Sequence, residues 1–318
     1  MTTGLTSPVG SSGDGGSAWS PTANVTNSPT TLVSKKGPAK AALSKKRYIT
    51  ATRLADTKGR LSPVDWETLR DVAALNVLSG NQLRRLHYQD TATGRRMARL
   101  NLGRLVQLGV LGRLGRRIGG ERAGSEGFIY VMDVAGQRLM RPPAHRSRKP
   151  WTPASQHLNH ALSVSELYVQ LREAESSHPL TLERFDAEPR CWRTFHGPGG
   201  PRLTLKPDAY AVTGNDEYVD SWFIELDRAT EPMPRLADKC KLYWLYWQSG
   251  REQFERDVFP TVLFIVPTDD RQAQLLDLFG RLAAERRQLF RVVTAEQAAN
   301  AMASGELLSN NNDKEVTS

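Results

Sequence analysis

The charged residues of this chain are sorted by sign along its length. Residues 1–150 carry 25 Lys and Arg against 9 Asp and Glu, whereas residues 151–318 carry 18 against 25. At 318 residues the chain exceeds the size at which a single core usually stops growing. The change of sign therefore predicts two modules with different duties. A net charge of +9, concentrated in the first module, predicts a polyanionic partner for that module alone. With 39% hydrophobic residues, global disorder is excluded. The two cysteines, Cys191 and Cys240, cannot build a disulfide framework and have no Cys or His neighbours at zinc spacing. The Ser/Gly/Thr-rich start lacks the apolar run of a secretory signal, and no stretch reaches the roughly 20 apolar residues of a membrane span. The cytoplasm is the expected compartment, with no membrane partner.

Residues 1–34 are rich in Gly, Ser, Thr, Pro and Asn, and basic residues then accumulate as far as Arg60. Residues 1–60 thus read as a disordered basic tail, suited either to lying along phosphates or to serving as a solubilising linker. Ser62-Pro63 opens a helix with an N-cap and a proline in its first turn, extending to about Val77. A short helix over Gln82–Tyr88 follows, then a third, capped by Thr91 or Thr93 and stopped by Gly109. Two strand-like runs, Val110–Ile118 and Gly127–Met132, flank a Gly- and Arg-rich turn, and a last helical turn ends at Met140. Three helices and a two-stranded wing over residues 61–140 spell a winged helix-turn-helix.

An Arg- and Pro-rich linker, 141–153, precedes the second module, 154–304, and a polar tail, 305–318, is expected to be disordered. The second module reads as a helix (His157–Ala174) and three strands (Leu180–Phe185, Leu203–Thr213, Ser221–Leu226). Next come a helix (Arg235–Trp247), a strand (Thr261–Pro267), a helix (Arg271–Arg287), a strand (Phe290–Val293) and a helix (Ala295–Ala303). The expected class is α+β or α/β, with a mixed sheet flanked by helices.

On the third helix, Arg95, Arg96 and Arg99 fall within one arc, while Met97, Leu105 and Leu108 are expected to face the first two helices. Arg113, Arg116, Arg117 and Arg122 belong to the wing. Guanidinium forks suit phosphate oxygens and guanine edges, so double-stranded DNA is the expected partner. A solvated basic face, or a winged helix that binds protein, is the alternative.

In the second module, alternation puts Thr204, Lys206, Asp208 and Tyr210 on one face of a strand. The next strand ends with Glu225 and Asp227 on one side, and the turn-rich Thr213–Asp220 joins the two as a hairpin. Antiparallel pairing would bring Asp208 near Glu225 and Asp227. Two readings stand. Asp208 and Glu225 bind Mg²⁺ or Mn²⁺, which activates water against a phosphodiester. Otherwise Lys206, Arg228 or Lys239 neutralises the acids without a metal. Tyr243, Trp244, Tyr246 and Trp247 suit base stacking or, at their helical spacing, a core or homodimer face. His157 and His160 lack a third ligand and read as packing or capping residues.

Lys206-Pro207-Asp208, with Glu225-Leu226-Asp227 following, resembles the PD-(D/E)XK nuclease fold. That resemblance implies that Asp208 and Glu225 are metal ligands and that Glu166 on the first helix joins them. Asp227 stands where the motif has its lysine, so Lys206, Lys239 or Lys241 would substitute, or the fold is retained for DNA docking without activity. Further residues extend the likeness: the run from Arg99 to Leu105, the run from Tyr130 to Gly136, His160 with Glu166, Pro207-Asp208, the run from Phe223 to Glu231, and Lys239 with Tyr243. Together they resemble the replication-relaxation family of plasmids and integrative elements, over roughly residues 62–270. The resemblance implies a role in replicating and relaxing plasmid DNA, alongside replication or conjugation proteins. A transcriptional regulator and a scaffold of a mobilisation complex are the rival classes. Ala229 departs from the family's usual glycine.

Overall fold

The computed structural model describes residues 49–114, 127–140, 155–215 and 218–304. Arg116, Arg117 and Arg122, the expected linker and the expected tail after residue 304 lie outside those ranges.

Part of the expected tail is folded. Helix α1 (Ala51–Gly59) occupies the end of the stretch expected to be a disordered tail. The Thr50 side chain caps it by accepting the Arg53 amide, and the Ile49 carbonyl accepts from Arg138, which ties the segment down. Helix α2 (Pro63–Leu75) starts at Ser62 as expected but stops two residues short, because Asn76 adopts φ 67°. The chain then enters a strand that the sequence reading missed, β1 (Val77–Ser79). Helix α3 (Gly80–His87) and helix α4 (Ala92–Gln107) follow, the latter capped by Thr91. Strands β2 (Leu111–Leu114) and β3 (Ile129–Met132) precede helix α5 (Val134–Met140). The three strands form an antiparallel sheet in the order β1-β3-β2. Gly136 is required where α5 packs against the residue preceding β2, since a Cβ there would lie 2.2 Å from the Val110 carbonyl oxygen.

One buried carboxylate locks α4 onto α2. Asp65 accepts the Ser62 amide (2.7 Å), closing a capping box, and also accepts from Asn101 (2.8 Å) and from the guanidinium of Arg104. Asn101 donates as well to the Tyr88 hydroxyl at 2.8 Å. Burial works to raise the Asp65 pKa, but these donors outweigh it and hold the carboxyl below its ordinary value.

Helix α6 (Ser155–Ala174) leads into a five-stranded sheet of order β10-β9-β8-β7-β4. Its strands are β4 (Thr181–Ala187), β7 (Ala209–Gly214), β8 (Val219–Leu226), β9 (Thr261–Val266) and β10 (Phe290–Thr294). The β4-β7-β8 pairings are antiparallel and the β8-β9-β10 pairings parallel. The expected single strand Leu203–Thr213 is broken. Pro207 cannot donate to a ladder, so the chain divides into β6 (Arg202–Leu205), paired with an unanticipated β5 (Arg193–His196), and β7. Helix α7 (Met233–Gln248) makes the crossover to β9, with the short α8 (Arg251–Arg256) after it. The helix expected over Arg271–Arg287 is two, α9 (Asp269–Gly280) and α10 (Ala284–Arg287), and α11 (Ala298–Ser304) closes the described chain.

The sheet is covered on both faces. Ala209, Ala211, Trp222, Ile224 and Ile265 pack in a core shared with α6, α11 and the first module, while Phe223, Val262 and Phe264 pack with residues of α7 and α9. Tyr243 and Tyr246 are buried there and Trp244 stacks on Trp247, so the aromatic run is a core face. The described residues fall into one compact unit, with buried residues from Ile49 to Ala303 in one cluster.

Asp65→Ala should lower unfolding stability by about 2–3 kcal/mol at pH 7, because it removes a cap and strands the Asn101 and Arg104 donors. Since the folded pKa is depressed, this stabilisation is present above the ordinary carboxylate range and is lost as pH falls below it. Urea unfolding of both proteins across that range checks the account, and equal stability at pH 7 would refute it.

Candidate functional site

Two groups of polar residues stand out, one on each module. The first is the outer face of α4. Ala98, Leu102 and Leu105 form its buried side, which turns Arg95, Arg96 and Arg99 outward as expected. Arg95 is tied to Asp90 at 2.8 Å, whereas Arg96 and Arg99 make no ion pair among the described residues. Arg113, on β2, is half-buried with its guanidinium 4.2 Å from the centre of the Phe128 ring. Met97 corrects an expectation. It does not face the other helices but is 51% exposed, beside Leu100 at 59%. One residue step turns a side chain by about 100°, enough to carry Met97 out of the buried side that Ala98 begins.

The second group lies where β7 and β8 meet α6, α7 and α9. The hairpin register pairs Ala209 with Ile224, so Asp208 comes beside Glu225, as the sequence predicted. Both oxygens of Asp208 are engaged: Oδ1 lies 2.9 Å from Nε2 of His160, and Oδ2 accepts the Leu226 amide at 2.7 Å. Asp208 chiefly holds the His160 pKa above its ordinary value through that hydrogen bond. Sequence reasoning assigned His160 to packing or capping, and only the α6-to-β7 geometry reveals this partner. Glu225 is 1% exposed and accepts from Lys239 Nζ (2.8 Å) and from the Tyr243 hydroxyl (2.6 Å). Burial pushes its carboxyl up to about 7, with Lys239 opposing and the charge of Asp208 reinforcing the shift.

The remaining candidates go elsewhere. Asp227 is turned toward α9, where Arg271 donates to it at 2.6 Å. Glu166 does not join the acids, because Arg85 and Gln82 of α3 hold its carboxylate. Lys206 is exposed over the Trp192 ring at 4.5 Å, and Lys241 is exposed on α7. Of the three candidate lysines, Lys239 is the one that reaches Glu225. The cation on Asp227 is Arg271, which was not foreseen, since a distant helix supplies it.

This donor set does not suit Mg²⁺ or Mn²⁺. The oxygens of Asp208, Glu225 and Asp227 are already held by nitrogen or hydroxyl donors, and among the described residues no group of three His, Cys, Asp or Glu side chains could hold a metal. Lys239 pairs with Glu225 and Arg271 with Asp227 as counterions. Asp208 and His160 also line a cleft of about 650 Å³ whose walls include Val72 and Leu75 of α2, Val164 of α6, and Trp192. Among the described residues, no helix is long and apolar enough to cross a membrane.

A family model described as replication-relaxation matches residues 69–262, from within α2 to the start of β9. No curated protein and no solved structure matches the chain.

Lys239→Met should leave Glu225 buried without its cation, a loss of about 3 kcal/mol at pH 8. Because the Glu225 pKa is raised, the deficit should shrink toward pH 5, where the carboxyl binds a proton; a deficit independent of pH would refute the pairing. Ala229 sits at φ 55°, in the region that favours glycine. Ala229→Gly should therefore raise stability by about 1 kcal/mol in urea unfolding, and a loss would show that the strain is absent.

Proposed function

We propose that this chain, which belongs to the replication-relaxation family, docks on duplex DNA through α4 during the replication or relaxation of a plasmid or other mobile element. The observation that carries this reading is the outer face of α4, where Arg96 and Arg99 stand exposed with no ion pair among the described residues. In this reading α2, β1, α3, α4, β2 and β3 are a winged helix, with α4 as the helix that enters the major groove. A helix about 10–12 Å across fits a groove about 12 Å wide, and guanidinium groups serve both phosphates and guanine edges. The Asp65 network supports it by holding α4 in one orientation on α2, which reduces the ordering that binding would otherwise require.

The second module is then a nuclease-like domain kept for docking. Its order supports that likeness: α6, the antiparallel β4, β7 and β8, the helix α7, and β9 parallel to β8. The fixed counterions on Glu225 and Asp227 favour a structural duty for the acids.

Full-length protein should retain duplex DNA at low ionic strength, and Arg96→Ala with Arg99→Ala should weaken it. The slope of log affinity against log salt should flatten by about two, close to 0.9 per lost phosphate contact. Unchanged affinity in that variant would sink the assignment of α4. Supercoiled plasmid should stay intact with Mg²⁺, and nicking that disappears in an Asp208→Ala, Glu225→Ala variant would overturn the docking role.

A further inference from the structure

We infer that Met97 and Leu100 make α4 selective for DNA sequence by packing against the 5-methyl groups of thymines in the major groove. The inference rests on the reading of α4 as the DNA-docking helix and goes beyond it, since arginines on phosphates carry no sequence information. Met97 is 51% exposed and Leu100 59%, and both sit three residues apart on a helix whose buried side is already complete. Residues three and four apart are neighbours on a helix surface, so Leu100 lies next to both Met97 and Arg96. The pair forms an apolar strip bordered by Arg96 and Arg99, which are charged and exposed.

The border decides the occupant. A strip meant for an apolar protein surface would place two guanidinium groups against that surface, at a desolvation cost that needs matching acids. The major groove supplies what both kinds of side chain require. It holds an apolar thymine methyl that Met or Leu can cover, and beside it phosphate oxygens and guanine acceptors for Arg96 and Arg99. Phosphate binding alone leaves two large exposed apolar side chains without a use.

The test uses duplexes enriched from a random pool by the full-length protein, each prepared with thymine and again with uracil, which lacks only the methyl. The uracil form should bind more weakly, by about fourfold for each contacted thymine, the effect expected of one methyl removed from an apolar contact. A Met97→Ala, Leu100→Ala variant should bind the two forms equally while keeping its salt dependence, because Arg96 and Arg99 remain. Both substituted residues are exposed, so the fold is not at risk. Equal binding of the two forms by the unsubstituted protein would overturn this inference and leave duplex docking standing. Failure to retain any duplex at low ionic strength would sink the docking reading and the inference with it. Methyl preference persisting in the double variant would move the contact to other residues. A dimer that this variant converts to monomer in sedimentation would make the strip a subunit face and refute the proposal.

Discussion

Helix α6 is the element on which both modules are built. It is amphipathic twice over, with one side for each neighbour. Toward the first module, the Ser165 hydroxyl donates to the Val77 carbonyl at 2.7 Å, and Gln82 of α3 donates to the Leu162 carbonyl at 3.0 Å. Tyr168 donates to Asp71 of α2 at 2.9 Å. Leu162 closes a small core with Val77, Leu114, Ile129 and Val131 of the three-stranded sheet. Toward the second module, Val164, Leu167 and Leu171 share a core with Ile224, Leu263 and Ile265. A helix buried on two sides cannot shift without disturbing both sheets.

Charge is handled by pairing across elements. Asp65 with Arg104 joins α2 to α4, Glu166 with Arg85 joins α6 to α3, Glu225 with Lys239 joins β8 to α7, and Asp227 with Arg271 joins the end of β8 to α9. Glu252, fully buried on α8, is held by Arg193 of β5 at 3.0 Å and by the Tyr246 hydroxyl. Such pairs add little net stability, because desolvation offsets most of the attraction, but they penalise any arrangement that separates the partners. Their value lies in fixing orientation. The same pairing that specifies the fold also occupies the carboxylates that a metal would have needed.

Local chemistry was the legible part of the sequence. Ser62-Pro63 and Thr91 mark helix starts because a cap and a fixed φ act within one turn, and the turn-rich Thr213–Asp220 marks the β7–β8 hairpin because turn chemistry is local as well. The Asp208–Glu225 neighbourhood followed from the hairpin. What escaped depended on distant partners. Strand β1 is three residues long and exists because β3 pairs with it, and β5 exists because β6 does. Glu166 was expected beside Asp208 from a helix-one position, but sequence gives no azimuth for a helix buried on two sides; Arg85 took the carboxylate, while His160 reached Asp208 from the same helix. Met97 was misplaced because an apolar residue was assumed to be a buried one. Arg- and Gly-rich segments such as Gly119–Glu126 carry no periodicity from which to argue.

The change of charge sign near residue 150 invites cutting the chain there, and the position of α6 says otherwise. A head ending at Met140 would leave Val77, Ile129 and Val131 facing water where Leu162 belongs. It would also strand Arg85, whose carboxylates come from Glu166 and Glu173. Recombination that swaps the first module between relatives must therefore carry α6 with it and reseat that helix on a foreign sheet. The sequence boundary and the heritable boundary fall in different places.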